Sequence, residues 1–203
     1  VSAADSPRLS SDEGAVLVEF ALVLPLITLL LLGVFEYGTA WRETLNLASA
    51  VRAASRQAAN AGTSRAADYL ALQSFDSVMG ASKNVVVQKV VVYQSTSANG
   101  DPINAGCFTA ASASAGWFCN IYTGTQIDTI GASYLTHFGP TDTSCTGAWD
   151  ANWCPITRHD LQSDPPDYVG VWAKVTYTSV TKMLPTTVTF TDRAIARIEP
   201  RVT

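Results

Sequence analysis

Charge is scarce in this sequence: Asp, Glu, Lys and Arg make up 15% of its 203 residues, against roughly a quarter in an ordinary soluble domain. With a net charge of −4 and no basic stripe, nucleic acid is excluded as a main partner. Phosphate-cradling loops are missing as well, because "GASYLTHFG" from Gly131 lacks the lysine and spacing of a P-loop. No G-x-S-x-G frames a nucleophile, and the adjacent His159 and Asp160 have no supporting frame. The chain is therefore read as non-enzymatic. No C-x-x-C pair occurs either: Cys107, Cys119, Cys145 and Cys154 are widely spaced, and His137 and His159 add no tight ligand spacing. No metal or other cofactor is expected.

The cysteines all fall between Cys107 and Cys154, in a stretch rich in Ser, Thr, Gly, Asn and Asp. Clustered cysteines in even number point to disulfides and an oxidising compartment. Of the three connectivities open to four cysteines, pairing of sequence neighbours is the expected one.

A long apolar run is what the sequence does have. From Ala15 to Phe35 the only charge is Glu19, and Leu29 to Leu32 form an unbroken leucine block. About 20 apolar residues of helix cross the hydrocarbon core of a bilayer. The run is too long for a signal-peptide core, and no small-residue cleavage site follows it. Tyr37 and Trp41 follow at the place of an interfacial aromatic belt. A single-pass anchor over residues 15–37 is expected, with the lipid bilayer as partner. Arginine counting alone favours the reverse orientation, since Arg8 precedes the run while Arg42, Arg52 and Arg56 follow it. The short leader, residues 1–14, and the cysteine-bearing region beyond the run instead place the N-terminus in the cytoplasm and the bulk outside.

Helical character continues over "WRETLNLASAVRAASRQAANAG", alanine-rich and without proline or glycine before Gly62. Leu47, Val51, Ala54 and Ala58 share one face and Arg52 and Arg56 another. One helix from about Ala15 to about Asn60 is expected, its exterior part 38–62, with Pro25, Gly33 and Gly38 as places to bend. A second helix follows in "TSRAADYLALQSFDSVMG", with Thr63 or Ser64 as N-cap and Gly80 as stop. The period then turns strand-like. "NVVVQKVVVYQ" is one strand, with Lys89 read as a guard against edge pairing. The stretch from Ser95 to Pro166 is expected to hold a short strand near Trp117–Tyr122 and a helical turn near Ile127–Leu135, with Trp117, Trp149 and Trp153 packed on the disulfides. Two strands close the chain. Val169, Val171, Ala173, Val175 and Tyr177 share a face of the first, and Val188, Phe190, Ala194, Ala196 and Ile198 a face of the second. "KMLP" between them suggests an antiparallel hairpin. The fold class is α+β: a long anchor helix, then residues 63–203 as an exterior domain with a second helix against a small antiparallel sheet.

A short leader ending in glycine, then an apolar helix with glutamate five residues later, then an α+β domain, resembles a type IV pilin-type subunit. More narrowly, "GAVLVEFALVLPLITLLLLGVFEYG" from Gly14 resembles the opening of the TadE-like pseudopilins of tight-adherence, or Flp-type, pilus systems. "VEFALVLP" followed by a leucine block and "EYG" is their hallmark. The likeness runs from Gly14 to about Gln57, with weaker agreement over the closing "RAIARIEP". It implies that a prepilin peptidase cuts after Gly14, leaving Ala15 as the new N-terminus, Glu19 as the fifth residue and Phe20 as the sixth. It further implies a minor or assembly role among other pilin-like subunits and pilus assembly proteins.

Glu19 then has two readings. About five residues into the span it sits only about 7 Å deep, where headgroups can solvate it. Alternatively it pairs with a newly made N-terminus and sets the register between subunits. Two other functions stay open: a single-pass accessory subunit of another membrane complex, which needs no cleavage at Gly14, and a membrane-anchored adhesion or binding module using residues 95–166.

Overall fold

The computed structural model describes residues 11–138, 144–161, 165–182 and 187–200. Its dominant element is the helix α1, Ser11–Ala61, 51 residues without a break. At 1.5 Å per residue it is roughly 77 Å long. It starts before the expected Ala15 and passes through Pro25. The expected leader residues 1–10 lie outside the described residues.

The two halves of α1 live in different surroundings. Residues 15–35 are almost wholly exposed, whereas Leu47, Ala50, Val51, Ala54 and Ala58 are fully buried. Small side chains on that face let the helix lie close to what it packs on. Arg52 and Arg56 fall on the outer face, as the helical spacing requires.

The second helix, α2, is Ala67–Met79 and packs along α1. It begins later than the sequence suggests, and its N-cap is Ala66, with no side-chain cap. Thr63 and Ser64 are drawn into other bonds instead. Ala67 N–H closes a turn onto Ser64 O at 2.9 Å, and Thr63 Oγ1 donates to Asp160 Oδ2 at 3.0 Å. The helix stops at Gly80, as expected.

Four antiparallel strands form one sheet in the order β2-β1-β3-β4: β1 Val85–Ser95, β2 Cys119–Thr123, β3 Tyr168–Thr178 and β4 Thr187–Arg197. Met183, Leu184 and Pro185 of the expected "KMLP" connection lie outside the described residues, but β3 and β4 pair over their full length as an antiparallel pair. The helices α1 and α2 cover one face. Val90, Val92, Val169, Val171, Ala173 and Val175 meet Leu47, Val51, Leu72 and Phe75 there in the main core.

Because β1 is central, Lys89 is not an edge guard. It sits beside a bulge between Val87 and Lys89, where the strand's facing is reset. Its Nζ donates to Phe108 O (2.9 Å) and Ala110 O (2.8 Å), tying the short helix α3, Gly106–Thr109, to the sheet. Burial and the nearby Lys174 draw its pKa down.

On the sheet's other face Val91, Tyr93, Cys107 and Cys119 form a smaller core with Phe108, Trp117 and Trp172. Gly170 makes this layer possible, since a Cβ there would stand 2.2 Å from the Tyr93 ring. Thr123 caps α4, Gly124–Asp128, and α5, Ile130–Ser133, follows, then a π-turn over 134–138. The expected helical turn is therefore a series of short pieces.

Candidate functional site

Glycine at position 14 stands inside a helical turn, and a Cβ built on it meets nothing within 4 Å. Ala15 follows, also exposed. Glu19 lies one turn further, and among the described residues no cation is paired with it. Phe20 is 58% exposed and Leu22 70%. The structure thus puts Gly14, Ala15, Glu19 and Phe20 on one continuous exposed helix, remote from the folded domain. A contiguous apolar surface of this kind marks a site of contact with a membrane or another protein. The segment is long and apolar enough to cross a membrane, as a single-pass anchor would.

A second carboxylate marks the other end of the run. Glu36 belongs to the "EYG" motif, yet the sequence alone assigned it no part. Its side chain is fully buried. Tyr177 Oη donates to Oε1 at 2.7 Å and Val180 N–H to the same oxygen at 3.0 Å. Thr181 gives Oε2 both its N–H and its hydroxyl, each at 2.7 Å. Thr39, one turn on, shares a 2.8 Å hydrogen bond with the Tyr177 hydroxyl. The end of β3 and the residues after it therefore close around one carboxylate of α1. The clue in the sequence was a charge terminating a run whose only other charge is Glu19; its partners, some 140 residues away, left no pattern to read.

The cysteine-rich stretch is closed by two bonds. Cys107–Cys119 has S–S 2.04 Å and Cys145–Cys154 has S–S 2.00 Å. With all four thiols consumed, no thiolate is left to hold a metal. Trp153 is buried in the main core, and Trp117 packs beside the first disulfide. Trp149 stacks on His137 with ring centroids 4.0 Å apart. Trp117, Trp149 and Trp153 thus pack inward.

What fastens this stretch to the rest is a buried polar cluster that the sequence did not announce. Asp68, in the first turn of α2, accepts from Arg158, from Asn120 Nδ2 (2.7 Å) and from Tyr122 Oη (2.7 Å). Asn120 also exchanges bonds with the backbone of Trp153, 2.9 Å each way. Beside it Arg65 is ion-paired with Asp150, both buried. Burial raises the Asp150 pKa to about 7, helped by the charge of Asp68 and opposed by Arg65. Burial and the Asp68 charge also push the Tyr122 phenol well up. Asp160, beside His159, takes the Thr63 hydroxyl and so serves the end of α1.

Residues 14–56 match the family of TadE-like proteins. That segment begins at the Gly14–Ala15 bond, contains the whole exposed run with Glu19, Phe20 and Glu36, and reaches into the part of α1 that packs against the sheet. No curated protein and no solved structure matches the chain.

Proposed function

We propose that this chain is a minor pilin-like subunit that helps assemble or prime a Flp-type pilus or related secretion machinery. Its N-terminus is cytoplasmic, residues 15–37 span the membrane, and residues 38–203 lie outside. The observation that carries this reading is that the TadE-like segment is both an exposed apolar helix and the spine of a disulfide-closed domain. The match of residues 14–56 to TadE-like proteins supports a structural role.

In this reading a prepilin peptidase cuts after Gly14 and makes an ammonium at Ala15. Within one chain the new charge and Glu19 are a turn apart, wet and weakly coupled. Between neighbouring subunits Glu19 of one copy meets the Ala15 ammonium of the next. Unit charges about 4 Å apart attract by roughly 4 kcal/mol at an effective dielectric of 20. That gross attraction is comparable to the roughly 2.5–3.5 kcal/mol cost of inserting a charged residue. Glu19 then fixes the axial register between subunits, which an apolar residue cannot do.

The test has two parts. Mass spectrometry of the chain from native membranes is expected to give Ala15 as the first residue. Glu19→Ala is expected to leave insertion, folding and cleavage intact while abolishing incorporation into the pilus machinery. An uncut chain favours the accessory-subunit reading. A cut Glu19→Ala chain that still supports normal piliation removes the register role alone.

A further inference from the structure

The free edge of the sheet is open along half its length and closed along the other half. Thr178 N–H donates to Asn84 O, toward β1, so alternate residues of β3, among them Val171 and Val175, turn their N–H toward β4. Their partners Ala194 and Phe190 point back. The amides of Thr187, Thr189, Thr191, Arg193, Ile195 and Arg197 consequently face outward. Arg193 N–H agrees, being taken up by Asp192 Oδ1 at 2.8 Å instead of by β3. Natural sheets blunt such edges with charge, proline or bulges. The outer part of β4 does so with Asp192, Arg193 and Arg197. Thr187–Thr191 carries no charge, proline, glycine or bulge, and among the described residues nothing bonds its outward amides.

The anchor decides what can complete this edge. Glu36 meets Val180 and Thr181 just before β4, while Ile198, just after it, is 3.5 Å from a Cβ built at Gly62. So β4 rises alongside α1, with Thr187–Thr191 nearest the membrane. Antiparallel pairing of two β4 strands would invert one copy and put its anchor on the wrong side. Two upright copies about a two-fold axis along the membrane normal would set identical amides opposite one another, and no ladder forms. A copy's other edge, β2, does run downward but stands at another height. Through β1 and β3 its span Cys119–Thr123 is level with Thr191–Ile195, above the open Thr187–Thr191, and Thr123 N–H is already bound by Gln126 Oε1 at 2.8 Å.

We infer that Thr187–Thr191 takes an added strand from a different exported subunit, an extended uncharged segment bonded main chain to main chain. Its alternate residues on the α1 side are apolar, because Val188 and Phe190 present half-covered side chains there. The inference rests on the anchored-subunit reading above, and on its orientation of the domain, but not on cleavage or on Glu19.

The test uses the full chain in its native membranes, with a photoreactive phenylalanine analogue in place of Thr191. The expected result is a covalent adduct to one other polypeptide, joined within an uncharged segment of alternating apolar residues. Thr189→Pro removes only an outward N–H, and is expected to lower the adduct yield about tenfold or more with an unchanged Tm in detergent. Val188→Pro removes an inward N–H and is expected to lower Tm. An adduct only with a second copy, no adduct, or a yield indifferent to Thr189→Pro would each overturn the inference. If Thr189→Pro itself lowers Tm, hydrogen exchange of the unaltered chain decides. Amides 187, 189 and 191 must exchange more slowly in native membranes than in the purified chain, and equal rates refute the added strand. A membrane-inserted chain lacking the adduct sinks the edge alone, whereas a chain found outside the membrane sinks the reading beneath it.

Discussion

Glu36 and Thr181 are bound twice over, the backbone N–H and the hydroxyl of the threonine both reaching one carboxylate oxygen at 2.7 Å. A hydrogen bond to a charged group contributes roughly 1.5–3 kcal/mol, and a buried partner left alone costs about as much. Glu36→Ala is therefore expected to lower stability by about 3 kcal/mol or more, and Glu36→Gln by less. Thermal unfolding in detergent checks this. Hydrogen exchange should show the loss concentrated at residues 177–181; a loss spread evenly over the domain would contradict a local clasp.

Ala54 tests the small-residue face of α1. Its side chain is fully buried among Leu47, Ala50, Val51 and Ala58, against the sheet. Ala54→Leu forces extra methyl groups into a filled layer and is expected to cost about 1–3 kcal/mol. An unchanged Tm would show that the face yields more readily than its burial implies.

The disulfides should each matter by a similar amount. They close loops of 12 and 9 residues in sequence separation, for which chain entropy gives roughly 3 kcal/mol apiece. Replacing either pair by alanines is expected to lower Tm by several degrees, and non-reducing mass spectrometry of the native chain should find no free thiol. Four free thiols would contradict the pairing and the exterior placement together.

Asp150 supplies a pH dependence of defined sign. Its pKa rises on folding from 3.8 to about 7, through burial first and the charge of Asp68 second. Between those values the native chain holds more protons than the unfolded one, so this contribution to stability falls as pH rises and is lost above about 7. Tm is expected to drop from about pH 5 to about pH 8, and Asp150→Asn should flatten that drop. Comparing the two chains cancels the contributions that both share. A wild-type profile no steeper than that of Asp150→Asn would count against the shift.

The parts of this fold that could be read in advance are those governed by periodicity. The apolar run, the Leu47–Val51–Ala54–Ala58 face and the alternation of Val169, Val171, Ala173 and Val175 each repeat a local rule, and each lies where that rule puts it. Reading failed where a residue's role is set by distant partners. Lys89 looked like an edge residue because strand order is not a local property. Thr63 looked like a cap because its competing partner, Asp160, is 97 residues away. Of the candidate site, the Gly14-to-Phe20 motif was legible in order and spacing. Glu36 and the Asp68 cluster were not, since nothing in a linear pattern says which isolated charge will be buried and satisfied.

The clasp at Glu36 and the burial of Ile198 in the core with Ala58 hold the sheet against α1 at two heights, one near the end of the apolar run and one toward the helix's far end. Between those points α1 packs on both β3 and β4. A force along the helix thus loads the whole packed layer in shear, spread over many contacts, instead of peeling the domain away from one end. An axial push on the helix is therefore expected to be carried through that layer to the far tip of the domain.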